Sequence, residues 1–310
     1  GDTHAFHLDR FLFEFFPAGT AFAPHPLPEI RTELPLAAAE AFSLDDGGTT
    51  EIDDAFSLAP LEAGGWRLGI HIAAPALGFA PGSALDAIAR ERLSTVYMPG
   101  NKITMLPDDA VAGLSLEAGT VRPVVSLYFD VSPEDYALRG RFSRIERVRI
   151  AANLRHEICM ALNQTLPANV RSGLAFESEL EVLWRIAQAL EKQRGKPSVP
   201  AGITDYNFRV EDGRVSIEPR LRGAPLDQLV SEMMILANSS WGELLAERDV
   251  AAVYRTQGAG KVRMAVNPEP HEGLGVACYA WMTSPLRRYI DLVNQWQLVA
   301  SLAGERVPHT

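Results

Sequence analysis

Cysteine is almost missing from this chain: of 310 residues only Cys159 and Cys278 carry a thiol, and they form no C-x-x-C pair. A disulfide framework and a cysteine-based zinc site are therefore excluded, and a reducing compartment is expected. Long apolar runs are missing too, and the N-terminus has neither the basic nor the apolar region of a signal peptide. A cytoplasmic location without membrane contact is the expectation. Lysine is scarce: Lys102, Lys192, Lys196 and Lys261 are the only four among 29 basic residues, which leaves 25 arginines. Arginine is better shaped for bidentate phosphate contacts, although coding bias is the simpler account of the bulk count. Positive charge is in deficit overall. A net charge of −10 argues against a nucleic-acid partner, for which a basic footprint is expected, but it does not report local charge.

What is present is an ordinary globular composition, 47% hydrophobic and 22% charged, with ample material for a core. Residues 1–40 are rich in proline around one apolar knot, "FLFEFFPAG", and read as a lead-in from an upstream domain. From residue 41 onward, "AFSL", "DAFSL", "WRLGIHIA", "RPVVSLYFDV" and "GRFSRIERVRI" have the β-branched and aromatic content of strands. "YNFRVEDGRVSIE" reads as a hairpin turning at Asp212-Gly213. Helices are expected over 83–97, opened by a Ser83/Asp86 capping box, and over 151–165, 177–194 and about 226–247. A last helix, "TSPLRRYIDLVNQWQLVASLAG", is expected to start with Ser284 as N-cap and Pro285 at N1. Strands and helices do not alternate as βαβ units, so the expected fold class is α+β.

The first chemical signal is "LDDGGTTEIDD", which places Asp45, Asp46, Glu51, Asp53 and Asp54 around a Gly-Gly turn between two strand-like runs. An acidic solvent-facing turn is one reading. The other is a site for a hard divalent cation, because carboxylates packed between apolar strands need a compensating charge. The spacing is not that of an EF-hand. Magnesium suits it better, and two such ions would suit in-line phosphodiester hydrolysis. The second signal is "TSPLRRY". Arg287 and Arg288 at a helix start would sit against the macrodipole, a small cost that suggests a phosphate site built from two guanidiniums and the free first-turn N–H groups. A packing arginine pair is the plainer alternative.

With those residues in view, the chain resembles the catalytic domain of the ribonuclease II/R (RNB) family. The resemblance rests on "TEIDDA", "GIHIAAPA", "GSALDAIARERLSTVYMPGNKITMLPDD", "LVSEMMILAN" and "YAWMTSPLRRYIDL", in order from about residue 41 to 303. "RTQ", "HEGLGVACY" and "FFPAG" are similar to the bacterial and plastid ribonuclease II branch. The resemblance implies mixed and antiparallel sheets flanked by helices around an RNA channel, with an RNB domain over 41–310. It implies a processive 3′→5′ exoribonuclease that takes single-stranded RNA, uses Mg²⁺ (two ions, with Mn²⁺ as a substitute) and releases nucleoside 5′-monophosphates. The family's acidic motif, D-x5-D-x-D-D, falls on Asp45, Glu51, Asp53 and Asp54, with glutamate at a position where aspartate is usual. The resemblance assigns catalysis to Asp53 and Arg287 and base stacking to Tyr97, and it sets Arg92, His156, Glu232 and Arg288 beside the RNA, with structural ion pairs equally open for Arg92 and Glu232. "HIAA" replaces "HIAD", so Ala74 stands where an acid is usual, and His71 reads as a packed strand residue. The family's flanking OB and S1 domains are not visible in the chain. Two other functions stay open: an RNB domain that binds RNA without cutting it, and a metal-dependent phosphohydrolase of small molecules.

Overall fold

The computed structural model of the protein describes residues 3–45, 48–98, 100–155, 175–197, 204–211, 214–221 and 225–309. Its centre is a closed barrel of five strands in the order β1-β2-β3-β6-β7. These are β1 (Ala41–Asp45), β2 (Asp54–Pro60), β3 (Trp66–Ala73), β6 (Val121–Val131) and β7 (Leu138–Arg155). All neighbouring pairs are antiparallel except β1 and β7, whose parallel pairing closes the ring. The five strand-like runs in the sequence are these five strands, and the fold is α+β as expected.

Strand residues alternate between two faces, and both faces are covered. Phe56, Leu68, Ile70, Ile72, Val125 and Leu127 point one way, into a core shared with α5 (Glu177–Arg194) and α6 (Pro225–Glu247). Those helices contribute Leu180, Leu183 and Ile186, and Leu229, Met233 and Trp241. Ala55, Ala73, Val124, Val148 and Ile150 point the other way. There they meet Val111 and Leu114 of α4 (Asp108–Leu114), and Leu292 and Trp296 of α7 (Tyr289–Ala303).

The second face carries a polar chain in mid-sheet. His71 is fully buried, with Ser57 Oγ at 2.8 Å from Nε2 and Ser126 Oγ at 2.8 Å from Nδ1. Gly69 makes room for it: a Cβ there would lie 2.7 Å from His71 Nε2 and 2.4 Å from Ser57 Oγ. His71 is thus a satisfied core histidine, in keeping with the packed reading.

Between β3 and β6 the chain forms α2 (Pro75–Gly78), α3 (Ala84–Arg92) and a hairpin of β4 (Val96–Met98) and β5 (Asn101–Ile103). The helix expected over 83–97 begins as expected, with Ser83 Oγ accepting from Asp86 N–H. It stops five residues early because Leu93 takes a φ of 64°, a conformation that breaks the helical ladder. Tyr97 therefore lies on a strand. The helix expected over 151–165 is also corrected: β7 continues through Arg155, and the residues after it lie outside the described ones. The expected hairpin is β8 (Thr204–Glu211) with β9 (Arg214–Leu221); its turn residues lie outside the described residues. A two-stranded sheet of β10 (Tyr254–Gly258) and β11 (Lys261–Ala265) precedes the run into α7.

The lead-in forms α1 (Thr3–Phe15) and then an extended segment pinned to the barrel by Glu29 N–H to Gly78 O and Arg147 N–H to Pro35 O, each 2.8 Å. Among the described residues no helix is long and apolar enough to cross a membrane.

Burial pushes the His71 pKa down to about 3, against about 6.5 in an unfolded chain. The folded state keeps His71 neutral while the unfolded chain gains a proton, so this stabilisation is full above pH 6.5 and is lost as pH falls toward 3. Urea melts of the wild type and His71→Gln between pH 7 and pH 4 should show the wild type losing more, by about 1 kcal/mol per pH unit. Equal slopes would show that His71 does not govern acid sensitivity.

Candidate active site

The acidic motif sits where β1 ends and β2 begins. The connecting loop is anchored from below: Ile52 N–H donates to Ser115 Oγ at 3.0 Å, Leu116 N–H to Ile52 O at 3.0 Å, and Ala73 N–H to Asp53 O at 2.8 Å. These bonds hold Glu51, Ile52 and Asp53 in the interior rather than on a solvent-facing turn.

Asp53 is 3% exposed. Its Oδ1 accepts from Leu286 N–H at 2.8 Å, and its Oδ2 accepts no hydrogen bond but lies 3.4 Å from Arg287 Nε. Burial pushes its pKa up to about 7, although Arg287 and the Leu286 N–H oppose the rise. Asp54 is half-buried as a residue, yet its Oδ2 is buried and accepts no hydrogen bond. Burial holds its pKa well above the usual carboxylate range, and the charges of Asp45 and Asp53 add to the shift. Asp45 accepts from Ser43 Oγ. Two carboxylate oxygens without hydrogen bonds, beside a third acid, form an electrostatic conflict that a hard cation would relieve. As they stand, no three acidic or histidine side chains among the described residues close into a cage around one point. Oxygen-only donors of high charge fit Mg²⁺ or Mn²⁺.

Glu51 stands apart. It is buried, but Oε2 receives Lys102 Nζ at 2.7 Å and Thr50 Oγ1 at 2.9 Å, and Oε1 receives Thr95 Oγ1 at 3.3 Å. The carboxylate that departs from the usual motif residue thus has a side-chain cation of its own.

Tyr97 and Lys102 are direct partners across the β4–β5 hairpin. The hairpin is stitched to the loop before α7 by Thr95 N–H to Arg287 O at 2.9 Å and Tyr289 N–H to Leu93 O at 2.8 Å. This brings the Arg287 guanidinium near the Tyr97 hydroxyl, close enough for each to shift the other's pKa. Burial alone would lower the Arg287 pKa, but Asp53 first and then Tyr97 reverse the effect and hold it raised. Tyr97 stays 58% exposed, so its ring is open to a stacking partner and is not a core aromatic. Asp45, Asp53, Asp54, Arg287 and Tyr97 therefore border one region of the surface.

The start of the last helix differs from expectation. α7 begins at Tyr289 with Arg288 as its N-cap, and Pro285–Arg287 form a turn. The expected anion site of free N–H groups is not formed, because carboxylates and carbonyls inside the protein already use them. Ser284 N–H donates to Asp291 Oδ1 at 2.9 Å, Leu286 N–H to Asp53, and Tyr289 N–H to Leu93 O. Arg288, expected beside the RNA, is instead clamped on the fully buried Asp291 by two bonds of 2.8 and 2.7 Å, with its guanidinium over the Trp281 ring.

Arg92 and Glu232 make structural contacts, the alternative that the sequence left open for both. Arg92 lies 3.7 Å above the Phe22 ring and donates to Thr20 O at 2.6 Å and Thr104 O at 2.9 Å, which fastens the lead-in to the core. Glu232 is buried in an ion pair with Arg194 at the edge of a cleft of about 280 Å³ that is also lined by Ser239, Glu243 and Val276. His156 lies outside the described residues. Sequence reading missed Lys102, whose one signal was the rarity of lysine, and Asp291, which hid as an ordinary i,i+3 partner of Arg288.

The RNB domain matches residues 34–264 and 260–304 of this chain. The chain belongs to the RNB-domain family. It is 30% identical to an uncharacterised ribonuclease of Synechocystis over 93% of this chain and 46% of that protein. It is 27% identical to exoribonuclease 2 of Aeromonas hydrophila over 91% of this chain and 51% of that protein. It thus spans about half the length of these relatives. In fold it is similar to the Dss1 exoribonuclease of Candida glabrata, with a TM-score of 0.80 at 20% identity over 98% of this chain and 46% of that one. It is also similar in fold to Mycoplasma genitalium RNase R solved with single-stranded RNA, with a TM-score of 0.76 at 17% identity over 88% of this chain and 51% of that one.

The charge conflict at Asp54 is testable without any assay of activity. In EDTA at neutral pH, Asp54→Asn should melt higher than the wild type, by about 2 °C or more for each kcal/mol of repulsion relieved. Mg²⁺ should raise the melting temperature of the wild type and leave the variant unmoved. A variant that melts lower in EDTA and still responds to Mg²⁺ would exclude Asp54 from the cluster.

Proposed function

We propose that this chain carries the catalytic centre of a Mg²⁺-dependent exoribonuclease that degrades single-stranded RNA processively from its 3′ end to nucleoside 5′-monophosphates in the cytoplasm. The observation that carries this reading is the pair of buried oxygens, Asp53 Oδ2 and Asp54 Oδ2, that accept no hydrogen bond beside Arg287 and Tyr97. The relatives named exoribonuclease 2, and the RNase R solved with RNA, support the substrate class.

Asp45, Asp53 and Asp54 would hold the cation, which when bound draws negative charge off the scissile phosphate. Arg287 points a permanently charged donor at the same region. It is steered there by Asp53 and by Ser284 Oγ, which accepts from its Nη2 at 3.1 Å. Its contact with phosphate oxygens strengthens as charge grows on them, so it favours the transition state over the bound substrate. Tyr97 offers its exposed ring to the terminal base and fixes how far the strand enters. Water adds to phosphorus and gives up a proton, the bond to the 3′ oxygen breaks, and that oxygen takes up a proton to become the 3′ hydroxyl of the shortened RNA.

A second reading has an observation behind it. Glu51 is neutralised by Lys102, and yeast Ssd1, described as a pseudonuclease, shares the fold with a TM-score of 0.72 over 92% of this chain and 42% of that one. That reading is RNA binding without cleavage. A denaturing gel of 3′-tailed RNA with and without Mg²⁺ separates the two, since only the nuclease yields mononucleotides.

Arg287→Ala should lower kcat by about 10² to 10³ while leaving RNA affinity nearly unchanged. An equal loss in affinity would make Arg287 a docking residue. Tyr97→Ala should keep the chemistry but weaken the grip on short RNA, since one stacked base is worth about 1–3 kcal/mol. Its limiting product should be longer than that of the wild type. An unchanged end product would remove Tyr97 from the stacking role.

A further inference from the structure

Both carboxylate oxygens of Glu51 accept hydrogen bonds, whereas Asp53 and Asp54 each leave one oxygen without any. Oε2 is held by Lys102 Nζ at 2.7 Å and Oε1 by Thr95 Oγ1, while Asp53 Oδ2 and Asp54 Oδ2 accept nothing. The Lys102 side chain is 27% exposed and its partner only 2%, so the ion pair lies at the buried margin of the site. Solvent screens such a pair far less than one on an open surface. We propose that this centre takes a single divalent cation, on the Asp53 and Asp54 side, and that the Lys102 ammonium held by Glu51 occupies the position of a second one.

The inference rests on the metal reading above and concerns how the chain's own residues shape that site. A divalent ion reaching Glu51 would meet the ammonium across the same carboxylate, where like charges repel and the low local dielectric magnifies the repulsion. At Oε2 it would compete with Lys102 and Thr50, and at Oε1 with the hydrogen bond from Thr95. The lysine is held in place from both sides. Nζ also donates to Thr50 Oγ1, and β5 carries Lys102 opposite Tyr97 on the hairpin that Thr95 ties to Arg287. A fixed ammonium gives electrostatic support like that of a metal but has no open coordination position. The hairpin that presents the stacking tyrosine is thereby fastened to the acidic motif through Glu51.

Counting bound ions tests this independently of catalysis. Mn²⁺ binding to the whole chain would be measured by isothermal titration and by the electron paramagnetic resonance signal of free Mn²⁺. Asp54→Asn would serve as the blank for scattered surface carboxylates. The wild type should exceed that blank by one ion, and Lys102→Met, which frees Glu51, by two. Lys102→Gln, which keeps a polar group opposite Glu51 without the charge, should also reach two, and it covers the case in which the methionine variant does not fold. Glu51→Gln should stay at one. Two ions on the wild type, an unchanged count in the folded lysine variants, or loss of an ion in Glu51→Gln would each overturn the inference while leaving the metal reading intact. No ion above the blank on the wild type would overturn both.

Discussion

The contact between Asp53 and the loop before the last helix holds the site together. Asp53 Oδ1 takes the N–H of Leu286, 233 residues away in sequence, while Oδ2 faces Arg287. A carboxylate 3% exposed to solvent is costly to keep charged unless a partner offsets it. The backbone amide and the guanidinium supply that partner, and in doing so they lock the edge of the barrel to α7. Burial and charge oppose one another here, and the rise of the Asp53 pKa to about 7 shows that burial still leads. The acid is held incompletely satisfied, with one buried oxygen that accepts no hydrogen bond.

Four arginines singled out around the site divide into two kinds. Arg288 with Asp291, Arg194 with Glu232, and Arg92 with the carbonyls of Thr20 and Thr104 are closed sets, with donors matched to acceptors inside the protein. They hold the elements in register. Arg287 differs. Its partner has a buried oxygen with no hydrogen bond, its own side chain is 43% exposed, and Tyr97 beside it is open to solvent. Type of residue and position in a motif do not distinguish these arginines, whereas the state of their partners does.

The tight turn at Leu93 links local strain to this arrangement. A leucine at φ 64° is uncommon and is held only where surrounding bonds require it. Here both its N–H and its C=O are engaged, by Ala89 and Tyr289. The turn ends α3 and directs the chain into the hairpin that brings Tyr97 and Lys102 to the acidic loop.

The strands of the barrel were legible in the sequence because β-branched and aromatic content is a local property. The Ser83 cap and the extent of the helix Glu177–Arg194 were legible for the same reason. So was the acidic motif, since Asp45, Glu51, Asp53 and Asp54 lie within ten residues. Partnership was not legible. Nothing local distinguishes Arg287 from Arg288, and only packing against Asp53 and Asp291 assigns them different work. Nothing near Glu51 names Lys102, which comes from 51 residues downstream. Helix ends were misplaced at Leu93 and Ser284, where contacts between the two segments outweighed local capping preference. Local sequence determined which segments could be strands, helices or acidic turns. The tertiary structure alone decided which charges met, because burial makes the energy of a charge depend on neighbours that are distant along the chain.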